Sequence, residues 1–277
     1  MSTGRSVVEL GWSQALLPRV RSVFISDVHL GSRDCRAAAL LDFLQRVRTD
    51  RLYLVGDIVD LWALRRTFHW PVEHMMVLRR FVELARNGTQ VIYVPGNHDV
   101  DFREWAGAEI CRVIIQRDCV HVTADGRRML VLHGDEFDGV VKCQPWLAAL
   151  GSTVYDLTLT LNHHFNGLRR LVGLPYWSLA GYLKSRVANA QRYIANFEQA
   201  AAHAARQQGL DGVICGHIHR FGIETIGGVL YANDGDWVES CTALVEDRNG
   251  RLALWHWPHE SQTRAAVSPG DAVGEAA

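Results

Sequence analysis

The stretch "FISDVHLG", residues 24–31, ends an apolar strand on an acid and a histidine two residues apart. Phe24 and Ile25 read as buried strand, which puts Asp27 where an apolar core meets the strand end. An ionised carboxylate there costs several kcal/mol unless something positive meets it. The same ending recurs along the chain. Gly56-Asp57-x-x-Asp60 follows "RLYLV", Gly96-Asn97-His98-Asp99 follows "QVIYVP", His133-Gly134-Asp135 follows "MLVL", and Gly216-His217-x-His219 follows "GVIC". A lone D-x-H is an ordinary turn or capping pair, and a lone G-H-x-H is an ordinary pair of surface histidines. Five such endings in order, each behind a strand, are not independent accidents.

Between these endings the chain alternates strand and helix, the pattern of an α/β layer fold. In "RAAALLDFLQRVR" Leu40, Leu41, Leu44 and Val47 share one helical face, and in "EHMMVLRRFVELARNG" Val77, Leu78, Phe81, Leu84 and Ala85 share another, with Gly88 as the terminating glycine. Hairpins are predicted at Asp125-Gly126 and Asn249-Gly250. Residues 142–208 have a helical pattern that interrupts the strand series, so a body over 21–260 carries a helical insertion. Residues 1–20 and 261–277 read as loosely ordered tails. In open α/β sheets the carboxyl ends of the strands gather at one edge. The five endings therefore converge on one cleft, where carboxylate and imidazole together suit divalent transition metals.

Composition narrows the class. The 277 residues are 48% hydrophobic and 21% charged with a net charge of −1, which argues against a dedicated nucleic-acid binder. The six cysteines, at 35, 111, 119, 143, 215 and 241, form no C-x-x-C pair and read as small apolar fillers of a reduced, cytoplasmic protein. No apolar run has the length of a membrane span, and no basic-then-apolar signal segment opens the chain.

With these five blocks the sequence resembles the calcineurin-like metallophosphoesterases across residues 22–219. The resemblance implies a four-layer αββα two-sheet sandwich with a dinuclear site for divalent ions, commonly Mn²⁺. It implies one ion held by Asp27, His29, Asp57 and His219, and a second by Asp57, Asn97, His133 and His217, with Asp57 bridging. His98 would then stabilise developing charge or protonate the leaving oxygen, and Asp99 would fix its tautomer. Asp60 reads as a residue that orients a ligand. "SDVHLGSRD", "LVGDIVDLWALRR", "VPGNHD", "GVICGHIH" and "GDWVESCTALVE" further resemble the UDP-2,3-diacylglucosamine hydrolase family of lipid A synthesis. The established hydrolases of that family carry arginine where His98 stands, and a sister branch carries histidine, as here.

The insertion points the same way. Between Leu157 and Phe197 there is no acid, while Arg169, Arg170, Lys184, Arg186 and Arg192 are basic and aromatic residues lie among them. Such a segment suits an anionic amphiphile or an anionic membrane surface. A lid over the cleft is expected, with Arg65 and Arg66 adding anion contacts from a loop after Asp57. A nucleotide-linked lipid substrate and a peripheral position on the inner face of the inner membrane follow as expectations. Two other uses stay open: a phosphodiesterase or phosphatase for a soluble substrate, and a non-catalytic interaction module of the same fold.

Overall fold

The computed structural model describes residues 7–9, 17–139 and 188–257. Its strands are β1 (Val7–Glu9), β2 (Arg19–Ile25), β3 (Arg48–Val55), β4 (Gln90–Val94), β5 (Glu109–Ile110), β6 (Val113–Ile115), β7 (Cys119–Val122), β8 (Arg128–Val131), β9 (Gly212–Cys215), β10 (Gly222–Ile226), β11 (Val229–Asn233), β12 (Thr242–Glu246) and β13 (Leu252–His256). The helices are α1 (Ala37–Arg46), α2 (Leu61–Arg66), α3 (Val72–Arg86) and α4 (Ala188–Gln207).

Two sheets form among the described residues, ordered β1-β13-β12-β2-β3-β4-β6-β5 and β10-β11-β9-β8-β7. β2, β3 and β4 are parallel neighbours in the first, and β8 and β9 are parallel neighbours in the second. Period-two alternation decides which residues face which layer. Phe24, Tyr53, Val55, Ile92 and Val94 of the first sheet meet Met129, Val131, Ile214 and Ala232 of the second. Val23, Ile25, Leu52, Leu54 and Val91 turn the other way, onto Leu40, Phe43 and Leu44 of α1 and Val77, Phe81 and Leu84 of α3. Each such buried side chain contributes roughly 1.5–3 kcal/mol. On the far face of the second sheet, Leu130, Val213 and Cys215 pack on Phe197, Ala201, Ala202 and Ala205 of α4. The order of layers is thus helix, sheet, sheet, helix, the sandwich expected.

Several elements differ from the sequence reading. Within residues 1–20, read as a tail, Val7–Glu9 forms an edge strand parallel to β13. The segment after Asp57, read as a loop, is the helix α2, because the Asp60 carboxylate caps it by accepting the Ala63 N–H at 2.7 Å. β5 and β6, of two and three residues, are too short to show a period, and β10 is an edge strand of the second sheet. Of the 142–208 insertion, α4 is a packed outer layer; residues 140–187 lie outside the described residues, and the expected lid with them.

One buried polar network ties the two sheets together. Glu246 on β12 is fully buried. Its carboxylate accepts hydrogen bonds from Arg21 Nη1 at 2.7 and 2.8 Å, Ser22 Oγ at 2.7 Å and the Ala124 N–H at 2.7 Å. His121 Nε2 on β7 lies 2.9 Å from it, and the Nδ1 of that ring meets Tyr53 Oη at 2.9 Å. Burial raises the Glu246 carboxyl, but His121, Ser22 and Ala124 outweigh burial and bring it from 4.5 to about 2. A depressed carboxyl stabilises the fold above its unfolded value and loses that contribution as pH falls through the folded one. Urea unfolding of wild type should therefore lose roughly 3 kcal/mol more than Glu246→Gln on acidification across that interval. Equal pH dependence of the two proteins would remove Glu246 from the acid response.

Candidate metal centre

Each of the five endings emerges at the carboxyl end of a parallel strand. Three come from β2, β3 and β4 of the first sheet, and two from β8 and β9 of the second. Among the described residues their side chains form three groups with mutually close ligand atoms: Asp27–His29–His219 and Asp57–His133–His217, which hold the expected ligands, and His29–Asp60–His98, which shares His29 with the first. The groups adjoin: His29 Nε2 lies 3.8 Å from both Asp27 Oδ1 and Asp57 Oδ2, and His133 Nε2 lies 3.4 Å from Asp57 Oδ2.

The backbone is bent to bring them there. Among the described residues eight non-glycine positions have positive φ, and five of them are Asp27, His29, Asp57, His217 and His219. Each such conformation costs of order 1–3 kcal/mol and persists only where the surroundings enforce it. Two glycines allow the close approach. At Gly56, with φ +85°, a Cβ would run into the His133 ring, and at Gly96 it would strike the Asp57 carboxylate and the same ring.

Neighbouring groups fix the histidine tautomers. His133 Nδ1 donates to the Val55 carbonyl at 2.8 Å, which leaves Nε2 for the cleft. Asp60 Oδ2 lies 3.2 Å from His29 Nδ1, a carboxylate behind an imidazole that orients it in the way metal ligands are oriented. Ser26 Oγ reaches both Asp27 Oδ2, at 2.5 Å, and Asp234 Oδ1, at 2.6 Å. His217 Nε2 approaches Asp138 Oδ1 at 3.0 Å, an acid further held by Tyr193 Oη at 2.6 Å.

Electrostatics show what the cleft lacks. Burial raises the Asp27 carboxyl, yet His219, 3.2 Å away, holds it well below the usual carboxylate range. Asp57 behaves likewise under His133, and Asp60 under His29 and His98. In return Asp27 and Asp60 overcome burial to push His29 up to about 10, and Asp57 pushes His133 well above its ordinary value. The carboxylates demand positive charge. His29 Nε2, Asn97 Oδ1 and His133 Nε2 are also buried with no hydrogen-bond partner. Buried polar atoms without partners are rare and call for an explanation. Imidazole nitrogens, carboxylates and an amide oxygen left bare around one cleft fit divalent cations.

Two expectations change. The Asp99 carboxylate does not face His98. It accepts the N–H groups of Gly96 at 2.6 Å, Ile58 at 2.8 Å, Val59 at 3.2 Å and Asp57 at 3.3 Å, stapling the loop after β4 to the loop after β3. The acid beside His98 is instead Asp60, whose Oδ1 lies 3.0 Å from His98 Nδ1 without the angle of a hydrogen bond. His98 Nε2 then stands 3.9 Å from Asp57 Oδ2, with the Trp62 ring tilted against it at 4.3 Å. Asp135, part of the fourth ending, pairs with Arg103 at 2.6 Å rather than joining any of these groups. Of the basic residues, Arg65 pairs with Asp101 at 2.6 Å on the surface, and Arg66 and Arg192 are exposed on α2 and α4. Arg169, Arg170 and Lys184 lie outside the described residues. Ser26, Asp138 and Asp234 were not singled out from sequence; only Ser26, beside Asp27, carried a signal.

The pattern of the calcineurin-like phosphoesterases matches residues 20–221. The chain belongs to that family. As a member it is a phosphoester hydrolase, and the family implies divalent metals at the cleft. It is 26% identical over 208 residues to a UDP-2,3-diacylglucosamine hydrolase of Aromatoleum aromaticum, covering 74% of each chain. It is 27% identical over 271 residues to the hydrolase of that name from Xanthomonas campestris pv. campestris, covering 84% of this chain and 97% of that one. An archaeal phosphodiesterase structure covers 85% of this chain at 14% identity with a TM-score of 0.41. No helix among the described residues is long and apolar enough to cross a membrane.

The crowding at Gly96 gives a direct test. Gly96→Ala should lower hydrolysis of a chromogenic phosphodiester about 10²-fold, because an ångström-scale displacement of Asp57 is that costly, and should lower the thermal melt as well, since the new Cβ also crowds the Asp57 backbone N–H. Wild-type turnover would show that the close approach is not needed.

Proposed function

We propose that this hydrolase uses two divalent ions, Mn²⁺ by preference, to cleave the pyrophosphate of a UDP-linked acylated sugar, releasing UMP and a lipid sugar phosphate. The observation that carries the two-ion reading is the adjacency of two His/Asp groups in one cleft with Asp57 between them. Asp27, His29, Asp57 and His219 would hold one ion, and Asp57, Asn97, His133 and His217 the other. Ions held there would supply Lewis-acid charge to the phosphoryl oxygens and would lower the pKa of a bound water.

The remaining steps belong to the chain. Asp60 orients His29 through Nδ1 and lies against the Nδ1 side of His98, so that one carboxylate serves a ligand and a proton donor together. His98 Nε2 faces the cleft beside Asp57, placed to donate a proton or hydrogen bond to the departing oxygen. Trp62 covers one face of that imidazole and limits its rotation. Asp99 keeps the loops bearing Asp57 and Asn97 at fixed separation. Arg65, Arg66 and Arg192, with Arg169, Arg170 and Lys184 outside the described residues, would receive the anionic parts of the substrate. Their basic charge is also the support for a peripheral site on an anionic cytoplasmic membrane face.

The substrate reading draws on the printed activity of the relatives and on the motifs shared with that family. His98 in place of arginine favours keeping a soluble phosphodiester as the second reading. Turnover of UDP-2,3-diacylglucosamine against the same headgroup without acyl chains, with Mn²⁺ present, decides between them. A buried CH₂ is worth about 0.8 kcal/mol, so partial burial of one chain should raise kcat/KM by orders of magnitude. Equal rates would hand the case to the soluble substrate.

Asp57→Ala should abolish hydrolysis and remove more than one equivalent of bound metal; two equivalents retained would refute the bridging role. His98→Ala should keep both equivalents and lose about 10²–10⁴-fold in kcat. An unchanged kcat would take His98 out of the proton transfer.

A further inference from the structure

A second cavity, of about 280 Å³, is lined by residues of the α1 and α3 starts together with Arg33, Arg36, His69 and His74. None of its lining residues belongs to the clustered groups of the metal centre. Two helices begin at its wall. Neither α1 nor α3 has a side-chain cap, and α1 has no acid in its first turn. The Leu40 N–H makes the first bond of α1, to the Arg36 carbonyl, so the Ala38 and Ala39 N–H groups have no acceptor within the helix. Uncapped helix starts carry partial positive charge, and an anion is their complement.

His74 supplies an independent pointer. It is only 3% exposed, and its Nδ1 accepts the Gly31 N–H at 2.9 Å. That bond puts the ring proton on Nε2. The resulting donor has no partner among the described residues, although the ring lines the cavity. Burial, together with His69 and against Glu73, lowers the imidazole below its ordinary value. Arg36 uses Nε on the Val238 carbonyl at 3.2 Å, and its terminal nitrogens have no partner among the described residues. Arg33 is exposed at the rim, and Glu73 is the single acid among the lining residues.

We propose that this cavity binds a phosphate group, free or carried on a nucleotide, through Arg33, Arg36, the His74 Nε2–H and the first-turn amides of α1. The cavity communicates with the catalytic loop through one hydrogen bond. Gly31 stands two residues beyond His29, so a ligand that fixes His74 also braces the loop that carries His29.

The test uses the full chain stripped of metal with EDTA, because the bare carboxylates of the metal centre then repel anions. Orthophosphate is titrated by calorimetry and by phosphorus NMR line broadening. One saturable site is expected in wild type and in Asp57→Asn. The double variant Arg33→Glu/Arg36→Gln should weaken it about tenfold or more. Ala38→Asp, at an exposed position, places a carboxylate at the start of α1 and should weaken it similarly without touching an arginine. Uridine monophosphate is titrated in parallel. Tighter binding than orthophosphate, lost in the same variants, identifies a nucleotide as the carrier, and equal binding identifies free phosphate. Binding lost in Asp57→Asn, binding unchanged in both cavity variants, or no saturable binding by the stripped chain would each overturn the proposal.

Discussion

The parallel pairing of β2 with β3 does not stop where the strands stop. The Asp27 N–H donates to the Gly56 carbonyl at 3.0 Å, Val28 and His29 both donate to the Asp57 carbonyl at 3.0 and 2.9 Å, and Leu30 donates to Ile58 at 2.9 Å. Asp60 closes the run by donating to the Leu30 carbonyl at 2.8 Å. This ladder fixes the register of two loops as firmly as a strand would. Asp27, His29, Asp57 and Asp60 consequently arrive in the cleft as one unit. Two buried carboxylates held this close repel each other, and the arrangement is tenable only with positive charge between them.

The surrounding architecture exists to enforce that unfavourable arrangement. Left-handed backbone at five site residues is tolerated because α1 and α3 brace one sheet and α4 braces the other. The two sheets are also linked directly at the cleft. Arg103 donates to the Pro95 carbonyl through Nε at 3.0 Å and through Nη2 at 2.9 Å, while pairing with Asp135 beyond β8. On the opposite wall the Phe197 ring of α4 lies 5.9 Å from the His217 ring. The outer helix is therefore part of the wall that positions a proposed ligand.

Much of this was legible in the sequence, for a definite reason. A strand buried on both faces is an unbroken apolar run, and its end is conspicuous when a glycine and a polar residue follow. That contrast revealed β2, β3, β4, β8 and β9 and the residues at their tips. What the sequence hid were features whose cause is tertiary. Asp99 and Asp60 are both acids close to His98 in the folded chain, and nothing in their spacing says that one turns to backbone amides and the other to imidazole. Asp138 and Asp234 act through contacts with residues 79 and 208 positions away. β1, β5, β6 and β10 are strands because a neighbour offers them an edge, not because their own residues alternate.

The interleaving of the two sheets has a kinetic consequence. β2 finds β3 soon after synthesis begins, but its other neighbour is β12, which pairs Phe24 with Leu244. Until nearly the whole chain has left the ribosome, one side of the central strand is a bare apolar edge. Such edges recruit other chains, and pairings this distant in sequence form slowly. The second sheet waits too, since β8 must find β9 across the insertion. The same topology that builds the cleft thus makes it depend on the pairings most distant in sequence.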